Sequence, residues 1–344
     1  MNSRVAAKSL SIRGLRVVAL GGGTGLSALL RGLREHVVRG PVRLPTRERP
    51  ISDLAAIVTV TDDGGSSGRL RREHQILPPG DIRNCMVALS KDEALLSRLF
   101  QYRFHTGRGL AGHSFGNLFL AALTHVTGDF AEAVRVSSEV LAIRGRIFPS
   151  TTANVTLIAT LANGKRVRGE TNISHSKVPI RRIELSPHGA RPLPRAIEAI
   201  QNADLILMGP GSLYTSVIPN LLIPGVAQAI RRSRAPRVYI ANLMTQPGET
   251  THYTLSQHLR AIEEHVGKHL VNYVVANSRP VAPEVARRYR AEGAEPVLVD
   301  QAQITRMKVR LIADDLLEEH GLIRHNSPRL AALLLKKFLR PPSR

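Results

Sequence analysis

The sequence has almost no cysteine and no tryptophan. Of its 344 residues only Cys85 is a cysteine, so no disulfide can form within the chain, and we expect this thiol to be a buried packing residue. Such cysteine usage is typical of a reducing cytoplasm. Aromatic residues make up only 4% of the chain. This is too few to favour a surface on which the bases of single-stranded nucleic acid stack. No apolar run approaches the roughly 18–20 residues of a membrane-spanning helix, so we expect no stable membrane insertion.

Acidic residues are also scarce. Against 48 lysines and arginines the chain carries 27 aspartates and glutamates, which gives a net charge of +21 and a pI near 11.2. The basic residues are mostly arginine and are scattered as local pairs rather than gathered in a long run. We therefore predict a general attraction for anions, including phosphorylated metabolites, and no specific binding of nucleic acid.

Glycine, by contrast, is concentrated where a strand meets a helix. In residues 15–27, LRVVALGGGTGLS, an apolar strand runs into a glycine turn and then into a helical pattern that begins near Leu26. Glycine lets the backbone approach a ligand closely, and a helix start attracts phosphate. The spacing is neither the dinucleotide fingerprint, because Leu26 stands where the third glycine belongs, nor a P-loop. The turn predicts a phosphate-bearing ligand, cradled by Gly22, Gly23, Thr24 and Gly25.

A second glycine-rich turn follows the apolar run of residues 54–60. Asp62 and Asp63 stand at the predicted strand end, beside the first turn if the sheet is doubly wound. A carboxylate there can bond a ribose or hold a divalent cation, possible Mg²⁺ included. A solvated turn without a ligand is the alternative, because Asp and Gly are ordinary turn residues.

Two further polar stretches precede predicted helices. Asp81 is expected to cap a helix that begins near Ile82 and carries Asn84 in its first turn. His113 lies before another helix, with Asn117 about one turn into it. We expect His113 to contact a ligand or a helix end rather than to act in catalysis, because no acid partner is identifiable.

The rest of the pattern alternates strands with helices, including helices over 127–143 and 222–232. This predicts a doubly wound, mostly parallel α/β sheet. Residues 151–185 are the exception, since Asn163-Gly164 indicates a type I′ turn and a small antiparallel β-hairpin insertion. Turns at 209–216 and 242–250 also follow predicted strands, at the edge where ligands of open α/β sheets bind.

The domain organisation follows from this pattern. We expect a disordered leader over 1–14 and a single α/β domain over 15–330, with an exposed loop at 37–53. A basic C-terminal helix or tail occupies 331–344, and we expect that helix to pack on the domain rather than to lie on a membrane surface.

Six motifs in order resemble the YvcK-type gluconeogenesis factors, a branch of the CofD-like (2-phospho-L-lactate transferase-like) family. They are GGGTGLS (21–27), VTVTDDGGSSGRLR (58–71), PPGDIRN (78–84), GHSFGNL (112–118), GPGSLYTSVIPNLL (209–222) and NLMTQPGET (242–250). The resemblance implies a Rossmann-like fold in a cytoplasmic bacterial protein that binds a UDP-sugar, notably UDP-N-acetylglucosamine. It also implies a role that links central carbon metabolism on gluconeogenic carbon sources to cell-wall synthesis and cell shape.

Residues and resemblance together define a candidate nucleotide-sugar site. The resemblance adds Tyr289 and Arg324 for the UDP moiety; a tyrosine ring can stack on uracil and an arginine can bridge pyrophosphate oxygens. The full set is Gly22, Gly23, Thr24, Gly25, Asp62, Asp63, Ser66, Arg69, Asn84, His113, Asn117, Gly211, Ser212, Asn242, Tyr289 and Arg324.

Three functions remain open at this point. The first is a non-catalytic ligand-binding regulator, with a protein partner in cell-wall synthesis and a possible homo-oligomeric state. The second is a metal-dependent, phospholactate transferase-like enzyme in which Asp62 and Asp63 hold Mg²⁺. The third, an NAD-type oxidoreductase, is disfavoured by the spacing of the first glycine turn.

Overall fold

A seven-stranded parallel sheet forms the centre of the computed structural model, which describes residues 14–38, 50–90, 95–319 and 321–338. Residues 1–13 of the predicted leader and residues 339–344 of the predicted C-terminal tail lie outside the described part. The strands are β1 Leu15–Gly21, β2 Ile51–Val58, β3 Arg146–Pro149, β4 Thr156–Leu161, β5 Arg166–Arg168, β6 Ile180–Ser186, β7 Leu205–Met208, β8 Arg237–Ile240, β9 Tyr273–Asn277, β10 Arg310–Asp314, β11 Leu317–Glu318 and β12 Arg324–His325.

Helices cover the sheet on both faces. They are α1 Gly23–Arg34, α2 Gly65–His74, α3 Gly80–Leu89, α4 Leu96–Gln101, α5 Phe115–Thr127, α6 Phe130–Val140, α7 Glu170–Ser174, α8 Pro194–Gln201, α9 Ile218–Leu222, α10 Val226–Arg232, α11 Leu255–Val266, α12 Pro283–Ala291, α13 Gln301–Arg306 and α14 Ser327–Phe338, with a π-helical turn at Leu213–Val217. The central strands are buried over most of their length because both faces are covered, which is why they contain continuous apolar runs.

The strand order is β10-β9-β8-β7-β1-β2-β3, and each pairing in this sheet is parallel. The chain moves outward in one direction from β1 through β2 to β3, and in the other from β7 to β10. The order therefore reverses between β1 and β7, and such a switch point opens a crevice at the carboxyl ends of its two strands. The predicted doubly wound, Rossmann-like α/β fold is confirmed.

The antiparallel insertion is also confirmed, as a separate three-stranded sheet in the order β5-β4-β6. The turn type is wrong, however. Gly164 has a φ of 82°, but Asn163 is not among the residues with positive φ, and a type I′ turn requires positive φ at both. The Leu161 amide instead donates to the Lys165 carbonyl, 2.9 Å away, which closes a three-residue loop with its glycine at the end.

Three predicted boundaries differ from the structure. The loop predicted over 37–53 ends earlier, because residues 51–53 begin β2 and Ile51 is fully buried; residues 39–49 lie outside the described part. The helix predicted over 127–143 begins at Phe130, since Gly128 in the left-handed region ends α5 and Asp129 caps α6. The helix predicted over 222–232 begins only at Val226, as α10, because α9 ends at Leu222; the helical span Leu213–Leu222 lies at 78° to α10.

The C-terminal helix α14 begins at Ser327 and packs on α1. Leu330, Ala331, Leu333 and Leu334 are buried on its inner face. Across the described ranges, no single helix is both long and apolar enough to cross a membrane, although the bent pair spanning Leu213–Leu222 and Val226–Arg232 meets the length and composition criteria jointly.

Candidate functional site

Two glycine turns meet at the switch point. The first leaves β1 and enters α1, and the second leaves β7 toward the π-helical turn. A Cβ added at Gly25 would overlap the carbonyl oxygen of Pro210 and would lie 3.0 Å from the Cα of Gly211. Only glycine permits this approach, so the turns predicted as separate features form one continuous wall of the crevice.

The Asp81 carboxylate packs against the first glycine turn, beside Gly22 and Gly23. A Cβ added at Gly22 would lie 2.5 Å from its Oδ2, and its carboxylate accepts a hydrogen bond from the Gly23 amide. The predicted cap is wrong: α3 begins at Gly80 and its first turn has no side-chain cap. Burial, with the negative charge of Asp62, raises the pKa of Asp81 to about 6.

The turn after β8 packs against the glycine turn that follows β7. Asn242 accepts a hydrogen bond from the Gly211 amide at its Oδ1, 3.1 Å away. The Gln246 side chain donates to the Ser212 hydroxyl over 2.6 Å. Gly211, Ser212 and Asn242 are thus brought together with Gly25, as the sequence analysis predicts from their places after parallel strands.

The two adjacent aspartates have separate structural partners. Asp62 Oδ1 accepts the Gly64 amide at 2.9 Å, whereas Asp63 Oδ1 accepts both the amide and the hydroxyl of Thr171, at 2.9 and 2.7 Å. Asp63 therefore ties the antiparallel insertion to the main sheet. Within the described ranges, no group of three or more His, Cys, Asp or Glu side chains is placed so that it could hold a metal ion.

Ser66, His113 and Asn117 form a buried hydrogen-bonded cluster. The Ser66 hydroxyl lies 2.9 Å from His113 Nδ1 and accepts from the Asn117 amide at 3.1 Å. Because Asn117 Nδ2 can only donate, the Ser66 proton is free to point at His113. Burial lowers the pKa of His113, and the positive charge of the nearby Arg69 lowers it further, so the neutral form is favoured. All three side chains are buried, and their hydrogen bonds connect the first turn of α2 with α5 and the residue before it.

The side chains of Arg69 and Asn84 are each held by a hydrogen bond to another residue. The Arg69 guanidinium donates to the Ala111 carbonyl at 2.6 Å. Asn84 Oδ1 accepts from Arg83 at 2.7 Å, and Arg83 also donates to the Ser114 hydroxyl at 2.6 Å. Ser114 in turn caps α5. These contacts connect α2, α3 and α5 along one side of the crevice.

The sequence analysis missed two carboxylates, the half-buried Glu170 and the buried Glu249. Glu170 accepts from the Thr61 hydroxyl at 2.9 Å, and burial together with Asp81 and Asp62 raises its pKa well above the usual range. Burial raises the pKa of Glu249 to about 7, and its Oε2 has no hydrogen-bond partner. The available signal for Glu249 was its position in a turn after a strand, which the sequence analysis noted without selecting the residue.

Tyr289 and Arg324 lie close together in space. The Tyr289 hydroxyl accepts the Ile323 amide at 2.9 Å, directly beside exposed Arg324. The next residue, His325, hydrogen-bonds the Ala241 backbone, which places this segment at the carboxyl end of β8. Backbone bonds between 243–245 and 295–297 join the segment that follows α12 to the turn that carries Asn242. Both residues therefore belong to the same edge of the sheet as the glycine turns.

Comparison with known proteins agrees with this architecture. The family model of "2-phospho-L-lactate transferase CofD" matches residues 17–317. A gluconeogenesis factor of Halalkalibacterium halodurans is 47% identical over 321 residues, covering 93% of this chain and 95% of that protein. The gluconeogenesis factor of Bacillus subtilis is 45% identical over 321 residues, covering 93% and 97%.

A solved structure is similar throughout. The crystal structure of a UPF0052 family member from Bacillus halodurans superposes with a TM-score of 0.87 and 46% identity, covering 94% of this chain and 99% of that chain. The family resemblance of the six motifs is thereby confirmed.

Proposed function

This chain belongs to the CofD family, and from that premise we propose that it binds a nucleotide diphosphate sugar, UDP-N-acetylglucosamine, in the crevice at the carboxyl ends of β1 and β7. The contact of Gly25 with Pro210 is the observation that carries the proposal, because it joins two backbone turns into one anion-binding wall.

The diphosphate would lie at the start of α1. Thr24 and Gly25 stand in the first turn of that helix, where backbone N–H groups have no intrahelical acceptor, and the helix dipole adds partial positive charge. The Gly23 amide is already bonded to Asp81, so it is the least available of the three. Arg324 would add two donors to the pyrophosphate, and the Tyr289 ring would pack on uracil.

The protein would act as a regulator. Its relatives in Halalkalibacterium halodurans and Bacillus subtilis are named gluconeogenesis factors. We infer a cytoplasmic role in which the bound UDP-sugar reports on central carbon supply and a protein partner in cell-wall synthesis responds, which affects cell shape. The ligand would act through its preference for the state in which the turns are ordered, since it shifts the equilibrium only by its differential affinity.

A thermal-shift panel tests the ligand class. The purified protein is heated with UDP-N-acetylglucosamine, UDP-glucose, UDP, NAD and phospholactate, each with and without Mg²⁺. A specific ligand at 100 times its Kd adds about 2.7 kcal/mol of apparent stability. The proposal expects the largest shift for the UDP-sugars; a shift from NAD or phospholactate alone would refute it.

A transferase that acts on a nucleotide-activated substrate is the second candidate. It is favoured by the family model's description and by Asp81, whose pKa of about 6 suits a general acid or base near neutral pH. This function predicts product from a phospholactate-type donor and acceptor, with Asp81→Asn lowering turnover about 100-fold or more. Unchanged substrates after prolonged incubation would eliminate it.

A further inference from the structure

One short segment carries an unusual share of the exposed apolar surface. Among the described residues, eight large hydrophobic side chains are exposed, and four of them lie between positions 95 and 110. Their exposed fractions are 73% for Leu95, 40% for Leu99, 51% for Tyr102 and 44% for Leu110. We call these four residues with the segment that bears them the 95–110 surface.

Three of these side chains lie in or directly beside the short helix α4. Leu99 is within the helix, whereas Leu95 immediately precedes its first residue and Tyr102 immediately follows its last. The helix is anchored, because Phe100 is 2% exposed and its ring meets those of Phe115 and Phe119 at 5.8 and 5.2 Å. The three exposed side chains are therefore held by an anchored segment of the folded protein.

A backbone-bonded loop follows the helix. The Tyr102 ring contacts the Phe104 ring edge-to-face at 5.2 Å. The Phe104 amide donates to the His113 carbonyl, and the Gly112 amide donates to the Phe104 carbonyl. These bonds hold the end of the loop that carries exposed Leu110 beside Phe104.

The charged side chains within the 95–110 surface are arginines. Residues 95–110 contain no aspartate or glutamate, whereas Arg98, Arg103 and Arg108 are all exposed; Asp92 and Glu93 precede this segment in the sequence, outside the part of the chain that the structure describes. Arg103 donates to a neutral carbonyl, that of Gly112. None of these three arginines forms an ion pair with a residue that the structure describes.

We propose that the 95–110 surface docks on the face of an anionic lipid bilayer. Aliphatic and aromatic side chains beside arginines, with no acid among them, match the interface between acyl chains and anionic headgroups. The leucines enter the acyl boundary while the guanidinium groups remain at the headgroups. The attachment is peripheral and reversible, and it does not depend on the nucleotide-sugar site.

The lack of tryptophan makes the proposal directly measurable. The chain contains no Trp, so Leu95→Trp introduces a single reporter on the surface, and Val126→Trp places the matched control at another exposed position. The full chain is mixed with vesicles of phosphatidylcholine alone or with phosphatidylglycerol. The proposal expects a blue shift for Leu95→Trp with the anionic vesicles only, and none for Val126→Trp.

A sedimentation assay separates docking from general attraction by the +21 net charge. Loss of two leucine side chains, in Leu95→Ser with Leu99→Ser, should weaken binding to anionic vesicles about tenfold or more, and Val126→Ser should leave it unchanged. Circular dichroism confirms that the variants fold. Equal sedimentation of wild type and double variant, or equal blue shifts at both tryptophan positions, would overturn the proposal. Absence of any shift with the anionic vesicles would overturn it as well.

Discussion

Gly25 lies against the carbonyl oxygen of Pro210 so closely that no side chain fits between the two turns. This contact joins the segment after β1 to the segment after β7, although 185 positions separate the two residues along the chain. The proposed diphosphate site depends on it, because the α1 N-terminus and the Gly211 turn face the same space only while the contact is kept.

Gly25→Ala tests this contact. The added methyl group must push the Pro210 turn away, so we expect about 1–3 kcal/mol of lost stability and a marked loss of UDP-sugar affinity. Gly21→Ala is the matched control in the same turn, since its Cβ would meet only Leu26 at an ordinary 3.4 Å. Urea unfolding and a binding titration measure both effects. Equal behaviour of the two variants would show that the Gly25 contact is not required.

Asp63→Ala tests how the antiparallel insertion is attached. Removing the carboxylate leaves the Thr171 amide and hydroxyl without their acceptor, at a cost of about 1 kcal/mol. We expect faster tryptic cleavage after exposed Lys165 in the β4–β5 loop, with rescue in Asp63→Asn, which keeps an acceptor oxygen. A cleavage rate equal to that of wild type would mean that other contacts hold the insertion.

Glu249→Gln tests the buried carboxylate through pH. The folded-state pKa of Glu249 is about 7, above the ordinary 4.5, so the folded protein retains a proton that the unfolded chain releases. Stability therefore falls as the pH rises from about 4.5 through 7, by up to about 3 kcal/mol. Glutamine cannot ionise, so the variant should be more stable than wild type at pH 8 and similar at pH 4.5.

Denaturation at the two pH values measures this difference. Glu292→Gln serves as the control because Glu292 is exposed at the C-terminal end of α12. If Glu249→Gln were less stable than wild type at pH 8, the carboxylate would have to be stabilised in its charged form.

Tyr289→Phe and Tyr289→Ala distinguish the contribution of the Tyr289 hydroxyl from that of its ring. The hydroxyl accepts the Ile323 amide, so its loss should cost about 1 kcal/mol and loosen the segment that carries Arg324. We expect a several-fold weaker UDP-sugar affinity for Tyr289→Phe and a larger loss for Tyr289→Ala, which also removes the ring. Tyr273→Phe is the control, since that hydroxyl accepts a long hydrogen bond, 3.3 Å, from the exposed Arg310. An affinity unchanged in Tyr289→Ala would remove this residue from the site.

The sequence predicted the sheet and the strand-end turns because both depend on local patterns. Apolar runs such as LAAIVTV reveal buried strands, and glycine after a strand reveals a turn regardless of what it contacts. Asp81 shows the limit of this reasoning. A carboxylate at a helix start is read locally as a cap, but here it bonds the Gly23 amide of another element.

Long-range partners account for the other differences. Asp62 and Asp63 are adjacent in sequence and look equivalent, yet one bonds its own turn and the other bonds Thr171 in the insertion. Glu249 and Glu170 come near the crevice only because the turn after β8 and the insertion meet there. Neither a periodicity nor a spacing in one sequence records these pairings.

The most direct test of the central claim is a calorimetric titration of UDP-N-acetylglucosamine into the wild-type protein and Arg324→Ala. The account predicts saturable binding to one site per chain in the wild type and at least about tenfold weaker binding in the variant, the loss expected for charge-assisted hydrogen bonds to phosphate. No binding by the wild type, or equal binding by both proteins, would contradict it.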